Sequence, residues 1–563
     1  MARKDNYKYD EALLGENEKD GSDYNDNENM ELEEDATRTI RVGVSQAPAY
    51  RDKWFAIAFL SQLLLVLLVA VISGFPATSH INSTDDADGR NLDQVDSNDE
   101  SVFDEIVFDQ DDDFDFMQKL RTFSTEFLPT IFLVSIIFAP LLSFGALALM
   151  DQHAQVLLQA SLIFSIVFNV LLFFITLASS DPDESDGSYV FLFLALIAAW
   201  YAKVVWSRVP YAASTLKCAV RAVRGNFGLA LLALGTVPVT VFYSVFWIVS
   251  VYGASTWECM YSTYPADSSL GTDDTNEQNE QTGLSGLGAF IMFLFILSYY
   301  WTMQVIANSN RTTIAGVIGT WCFNPIDASS FCSTAVRESF IRSNTYSLGS
   351  IAFGSLIVAM IQFIKSSVKS MRGRNRASCL YCCLECLLMY IERIAQYFHK
   401  WAFVYVGLYG YGYIDAGKAV MTLFQQRGCM AIISDNLARR MLYLIAGCVG
   451  LCVGVVCALV GAMFGGAQGA HEDEMIIWTY LALFCGFLLG FLLSIIIMGA
   501  VGDSVDAIIV CFAEAPAEFK RNHPALHDEM ERGWSNMIAE TETSLTQATA
   551  VALVDMNSRA GIV

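Results

Sequence analysis

Tyr299, Tyr300 and Trp301 stand in a row and are followed by Gln304, Asn308 and Thr312. Aromatic faces attract cations, each contact worth about 0.5–2 kcal/mol once water is excluded, and amides can orient a polar ligand. Read as one helix, Trp301, Gln304, Asn308 and Thr312 recur at i, i+3, i+7 and i+11 and share a face. They sit in AFIMFLFILSYYWTMQVIANSNRTTIAGVIGTWCF (Ala289–Phe323), an apolar run that turns polar without meeting a proline before Pro325. Amides placed in hydrocarbon are costly, so this face must look into protein or a wet cavity. Tyr243 and Trp247, four apart, offer a second aromatic pair on one helix face. Together Tyr243, Trp247, Tyr299, Tyr300, Trp301, Gln304 and Asn308 form a candidate binding group suited to a quaternary ammonium or similar organic cation. Two plainer readings stay open: Tyr and Trp also anchor helices at membrane interfaces, and the amides can simply bond to neighbouring helices.

Other candidates carry less chemistry. Asp503 and Asp506 follow the last apolar run within GDSVDAIIVCF and could receive a proton or a cation, or merely face water at an interface. Charges deep within spans are otherwise almost absent, and His153 is expected in a short solvated turn. Cys379, Cys382, Cys383 and Cys386 spell C-x-x-C-C-x-x-C, but a zinc site of this kind needs a second pair 12–20 residues away. Beside a basic cluster, acylation or apolar packing suits them better. The acidic run from Asp109 lacks the glycine and the final glutamate of a calcium loop, with Phe114 and Leu120 at those positions. No P-loop, H-E-x-x-H or G-x-S-x-G occurs. The expectation is a protein that is no enzyme, with no catalytic residues, metal or cofactor.

The elements that must position these residues are membrane helices. The chain has 563 residues, 54% hydrophobic and only 17% charged, against about 25% charged in soluble domains. Runs near 20 apolar residues mark an all-α polytopic membrane protein of about ten spans. These are Trp54–Phe75, Phe127–Met150, Val156–Ala178, Tyr189–Trp206, Gly228–Val251, Leu287–Asn308, Leu348–Ile364, Tyr397–Tyr413, Met441–Phe464 and Met475–Ala500. The net charge of −25 gathers in the N-terminal tail and one loop, so it describes appendages. Three parts follow: an acidic, disordered cytosolic N-tail (1–53), a transmembrane domain (54–500) and a cytosolic C-tail (501–563). The domain includes an acidic outer loop (76–126) and a second outer loop (252–286).

Basic residues near span ends set orientation. Arg38, Arg41, Arg51 and Lys53 put the N-terminus in the cytosol, and an even number of spans returns the C-terminus there. Asn82-Ser83-Thr84 then becomes an outer glycosylation acceptor at Asn82. The loop holding Arg208, Lys217, Arg221 and Arg224 falls inside. One cluster disagrees: Lys365, Lys369, Arg372, Arg374 and Arg376 fall outside by counting. Either it is external, or spans seven and eight are re-entrant or interfacial. Gly450/Gly454 and Gly486/Gly490 have the G-x-x-x-G spacing that lets membrane helices approach closely.

Four blocks carry a resemblance: QVIANSNRTTIAGVIGTWCF (Gln304–Phe323), SLGSIAFGSLIVAMIQFIK (Ser347–Lys365), YVGLYGYGYIDAGKAVMTLF (Tyr405–Phe424) and GDSVDAIIVCFAEAP (Gly502–Pro516). In order and spacing they resemble the choline transporter-like family, nearer its fungal "pH nine sensitive" branch, over roughly Trp54 to Pro516. The resemblance implies a ten-span protein of the plasma membrane or an organelle that moves choline, or a related organic cation, by facilitated or proton-linked transport. The partners expected are that cation and the lipid bilayer, with no nucleic acid and an oligomeric state left open. The first outer loop here is short, acidic and free of cysteine, unlike that of vertebrate members. A membrane scaffold or trafficking protein that docks through its tails, and a transporter of another solute, remain the competing readings.

Overall fold

A computed structural model describes residues 49–76, 127–179, 188–265, 280–328, 330, 333–374, 379–427, 431–467 and 472–536. The expectations for the N-tail up to residue 48, most of the acidic outer loop with Asn82 and the Asp109 run, residues 266–279 and the chain beyond 536 lie outside the described residues. So do the side chains of Cys379 and Cys382.

The described chain is a helical bundle. Eight of its helices are long and apolar enough to cross a membrane, which makes it a polytopic α-helical membrane protein. α1 (Lys53–Val69) ends in a π-turn, Ala70–Gly74. α2 (Leu128–Ser179) has 52 residues, about 78 Å at ~1.5 Å per residue. It covers both the second and third expected spans. The two halves meet at a kink at His153, which leaves helical geometry at φ −126° and is exposed, as a solvated turn requires. α3 (Ser188–Val205) passes through one 3₁₀ turn into α4 (Val209–Gly225).

α4 corrects the reading of Arg208–Arg224 as a loop. Tyr211, Ala212, Leu216, Ala219, Val220 and Val223 are buried, because small and apolar residues recur at helical spacing between the basic ones. The basic residues point to partners instead. Lys217 Nζ lies 3.0 Å from Glu529, while Arg221 and Arg224 hold Asp151 at 2.8 and 2.9 Å.

α5 (Gly228–Ser255) leads through Trp257 to a small antiparallel hairpin, β1 (Tyr261–Pro265) and β2 (Glu280–Leu284), in which Thr263 pairs with Thr282. α6 (Gly286–Phe323) is the helix of the polar stripe. Its N-cap Ser285 accepts from Gly288 N–H at 2.9 Å. It does not end at Asn308 but runs unbroken for 38 residues, about 57 Å. α7 (Thr334–Asn344) is short and is capped by Ser333.

α8 (Leu348–Arg374) and α9 (Cys379–Tyr409) have 27 and 31 residues, each enough to cross a bilayer. They run antiparallel. Lys365 Nζ meets Glu392 at 2.7 Å, and a Cβ at Gly354 would touch Phe403. α8 and α9 are each one continuous helix, and of the two only α8 also has the composition of a span. α9 is long enough to span but too charged to read as a span by composition, and only its C-terminal half matches the expected Tyr397–Tyr413.

α10 (Tyr413–Arg427) precedes α11 (Ala431–Ala467) and α12 (Glu472–Glu514). α12 continues 14 residues beyond the expected end at Ala500. Beyond it α13 (Pro516–Asn522) and α14 (524–536) fold back against the bundle. The boundary placed at residue 501 is thereby corrected: Phe519 and Met530 are fully buried in the largest apolar core, with helices α2, α4, α6 and α12.

α1 begins at a strained corner. Asp52 adopts φ 50°, in the left-handed region. Its carboxylate accepts from Ser350 Oγ at 2.7 Å and from Tyr413 N–H at 3.4 Å. This pins the start of α1 to the starts of α8 and α10, a level called here the Asp52 end.

Candidate functional site

Consecutive residues on a helix point about 100° apart, and the structure sends the aromatic run of α6 to three neighbours. Tyr299 turns toward α5. It lies 4.8 Å from the Trp247 ring and stacks with Tyr243 at 6.3 Å and 19°. Tyr300 turns toward α8 and pairs its hydroxyl with Ser366 at 3.0 Å. Trp301 turns inward, with its indole N–H on Ala352 O at 2.9 Å and its ring edge-on to Phe59 of α1 at 5.5 Å. The three rings thus do not close into one cage. Tyr243, Trp247 and Tyr299 gather in the α5–α6 seam, and Trp301 lies in the α1–α6–α8 seam.

The amide stripe is fully engaged. Gln304 donates to Gln362 at 3.2 Å, Asn308 to Ser355 at 3.0 Å, and Ser309 to Asn344 at 2.8 Å. The polar face of α6 therefore looks into protein, as hydrocarbon cost requires, and in this conformation it is closed against α7 and α8.

Between the two aromatic groups runs a hydroxyl and amide knot. Tyr243 OH meets Ser298 Oγ at 3.1 Å, Ser298 donates to Gln62 Oε1, and Gln62 donates to Thr302 at 3.1 Å. The knot joins α5, α6 and α1 and lies under the floor of a cavity of about 350 Å³ between α1 and α6, with its polar atoms turned to one another and not into the space. The walls are apolar: Leu65, Val66 and Val69 of α1 face Ile291, Leu294 and Phe295 of α6, with Trp257 alongside. Of the seven predicted residues only Trp301 lines this cavity. Trp247 supports its wall by donating to Phe295 O at 2.8 Å. Gln62, Ser298, Thr302 and Trp257 are residues that sequence reasoning missed. For Gln62 a signal existed, since it is the single amide in the apolar run Trp54–Phe75.

Nearer the Asp52 end, five charged residues meet. Asp503 accepts from Arg311 at 3.1 Å and faces Arg439 at 3.7 Å. Asp506, wholly buried, lies between Arg439 and Lys400, the latter at 3.0 Å. The cluster ties α6, α9, α11 and α12 together and holds three cations against two anions. This corrects two expectations: Asp506 is no interfacial carboxylate in water, and buried charge is not scarce. The physical reason is helix length. α6, α11 and α12 run past the windows that hydropathy marks, and Arg311, Arg439, Asp503 and Asp506 converge in those overhangs, joined by Lys400 from within the expected span Tyr397–Tyr413. Arg311, inside ANSNRTT, was the visible cue. Close by, Arg342 of α7 donates to Gly407 O, and burial pulls its guanidinium below the ordinary value, with Glu338 opposing.

Among the described residues only one group has metal-ligand spacing, the partly exposed His527, Asp528 and Glu531 of α14. Cys383 and Cys386 are exposed on the first turns of α9.

The chain can now be set beside known proteins. The family described as plasma-membrane choline transporter matches residues 189–517, which takes in the stripe, the aromatic seam and the ionic cluster. Three curated relatives are each called protein PNS1. The one from Gibberella zeae is 28% identical, over 62% of this chain and 62% of its own length. That from Mycosarcoma maydis is 26% identical, over 72% and 74%. That from Yarrowia lipolytica is 32% identical, over 46% and 44%. With more than half of its length matched by the family, and with fungal PNS1 proteins as relatives, this chain belongs to the choline transporter family.

Proposed function

We propose that this protein moves choline or a related organic cation across its membrane, and that the cavity between α1 and α6 is where the cation rests. The observation that carries this reading is the cavity's make-up: about 350 Å³, an apolar lining, Trp257 and Trp301 at its sides and the neutral Gln62–Ser298 knot just beneath its floor. A quaternary ammonium is large and weakly hydrated, so it gains from aromatic faces and needs only a few oriented polar groups for its hydroxyl tail. Gln62 and Ser298 offer those groups when the bond between them opens. Tyr243, Trp247 and Tyr299 stand behind the floor as a second aromatic layer, and Gln304 and Asn308 continue the polar face toward the Asp52 end.

Transport by alternating access needs two arrangements around one site. Here the stripe amides are paired with α7 and α8, and the ionic cluster closes the Asp52 end. We assign that end to the cytosol, with both termini inside, since Arg51 and Lys53 flank it. The same charge rule puts the hairpin β1–β2 and Asn82 outside, and the plasma membrane is the proposed location. Movement is facilitated or proton-linked, with no nucleotide motor, and the bilayer is the only other partner required.

Uptake of labelled choline into proteoliposomes tests the proposal. The expected result is saturable uptake, competed by other quaternary ammonium compounds and lowered about tenfold by Trp301→Ala, which corresponds to about 1.4 kcal/mol of lost interaction. Uptake no greater than in empty vesicles, with no choline binding to the purified protein, overturns it. Uptake that choline does not compete would point to a different solute.

A further inference from the structure

At the far end of α12, Glu514 is half-buried beside the YVGLYGYGY segment, with both carboxyl oxygens out of reach of solvent. Neither oxygen closes a hydrogen bond of ordinary geometry, and among the described residues no cation pairs with the carboxyl group. Two side chains of α9 turn to it. Tyr405 is fully buried and Tyr409 is 4% exposed. Their hydroxyls approach Glu514, yet each is likewise without a properly formed hydrogen bond. Their rings lie 5.3 Å apart.

The other titratable groups nearby bring no positive charge. Tyr411 follows α9, Cys511 is one turn earlier on α12, and the Cys322 thiol of α6 and the Cys218 thiol of α4 lie beyond Cys511. α10 turns Ala416, Ala419 and Val420 inward and leaves Asp415 and Lys418 exposed. α13 does the same, burying Phe519 and exposing Glu518, Lys520 and Arg521. A carboxylate in such a place has neither water nor a counter-ion, and an isolated buried charge is costly enough that a group neutralises instead.

We propose that Glu514, Tyr405 and Tyr409 form a proton-binding site, in which the carboxyl group holds a proton while α9 and α12 are packed and releases it when they part. The neutral acid has one O–H to donate and oxygens left to accept, which suits two facing phenols. The phenols can also donate to the ionised form and offset part of its cost, but the loss of water on burial is the larger effect and favours the neutral acid. Protonation thus favours contact between the two helix ends, and ionisation favours separation. This goes beyond the proposed transport activity, because it holds whatever solute is carried.

The linkage has a definite sign. A proton held more tightly in the packed state stabilises that state at low pH, and the stabilisation is lost as pH rises through the site's own titration. The test uses the purified full chain in lipid nanodiscs without substrate, so it stands apart from any uptake assay. Wild type should unfold at a temperature that falls by about 2–4 °C between about pH 6 and about pH 9. Glu514→Gln, which mimics the neutral acid, should remove that fall. In infrared difference spectra, a protonated-carboxyl band present in wild type should vanish in Glu514→Gln. The band should shift in frequency in the Tyr405→Phe/Tyr409→Phe double variant, which keeps the acid should Glu514→Gln not fold. A pH dependence equal in wild type and Glu514→Gln, or a protonated-carboxyl band unchanged by all the substitutions, would overturn the proposal.

Discussion

α11 and α12 meet through glycine, whereas α1 meets α6 through an amide, hydroxyls and a cavity. In the first seam a Cβ at Gly454 would sit 2.8 Å from Leu483 O, and one at Gly486 only 2.5 Å from Cys457 Cβ. Backbones so close leave no room to slide, and the ionic cluster fastens the same pair to α6 and α9. In the second seam Gln62 reaches over to Ser298 and Thr302, and much of α1 stays exposed, Leu64 and Leu65 among its residues. One seam is built to stay shut. The other has polar contacts that can be exchanged and space to receive a guest, which is what a moving element needs.

Substitutions can break this contrast, beginning with the largest effect. Asp506→Ala leaves Lys400 and Arg439 buried without their anion and should cost about 3–5 kcal/mol, read as a lower denaturation midpoint in detergent. Gly454→Leu forces side-chain atoms into the backbone of α12 and should cost about 1–3 kcal/mol or more, seen as loss of monodisperse protein on size exclusion. If Gly454→Leu folds as wild type does, the rigid half of the comparison fails. Gln62→Leu should act in the opposite manner. It breaks the knot and leaves Ser298 and Thr302 short of a partner, for about 1 kcal/mol of stability, while choline binding measured by calorimetry drops severalfold. Equal losses of stability from Gln62→Leu and Gly454→Leu would erase the distinction.

The sequence made the spans legible because hydrocarbon demands apolar residues over a fixed length. The same criterion hid what lies past that length. Asn308 and Ala500 looked like ends since polar residues follow them, yet α6 and α12 continue because those polar residues find partners on neighbouring helices. α4 read as a loop for the same reason, its basic face masking a buried apolar one. At the candidate site, the spacing of Trp301, Gln304 and Asn308 correctly implied a face turned to protein. It could not say that Tyr299 would turn to α5 while Tyr300 and Trp301 bond to α8, Trp301 also meeting α1. Nor could it bring Gln62 across 236 residues to Ser298, since long-range pairing leaves no periodic trace.

The docking of α13 on the end of α6 bears on how the chain matures. Asn522 donates to the carbonyls of Cys322 and Phe323 at 2.9 and 2.8 Å, and His523 stacks on Trp321 at 3.9 Å. These partners lie about 200 residues apart in the chain. At synthesis rates of about 5–20 residues per second, the end of α6 waits roughly 10–40 s for its cap to be made. Insertion of the spans and completion of the fold are thus separate events, and the interval between them is when an unfinished α6 is open to quality-control factors.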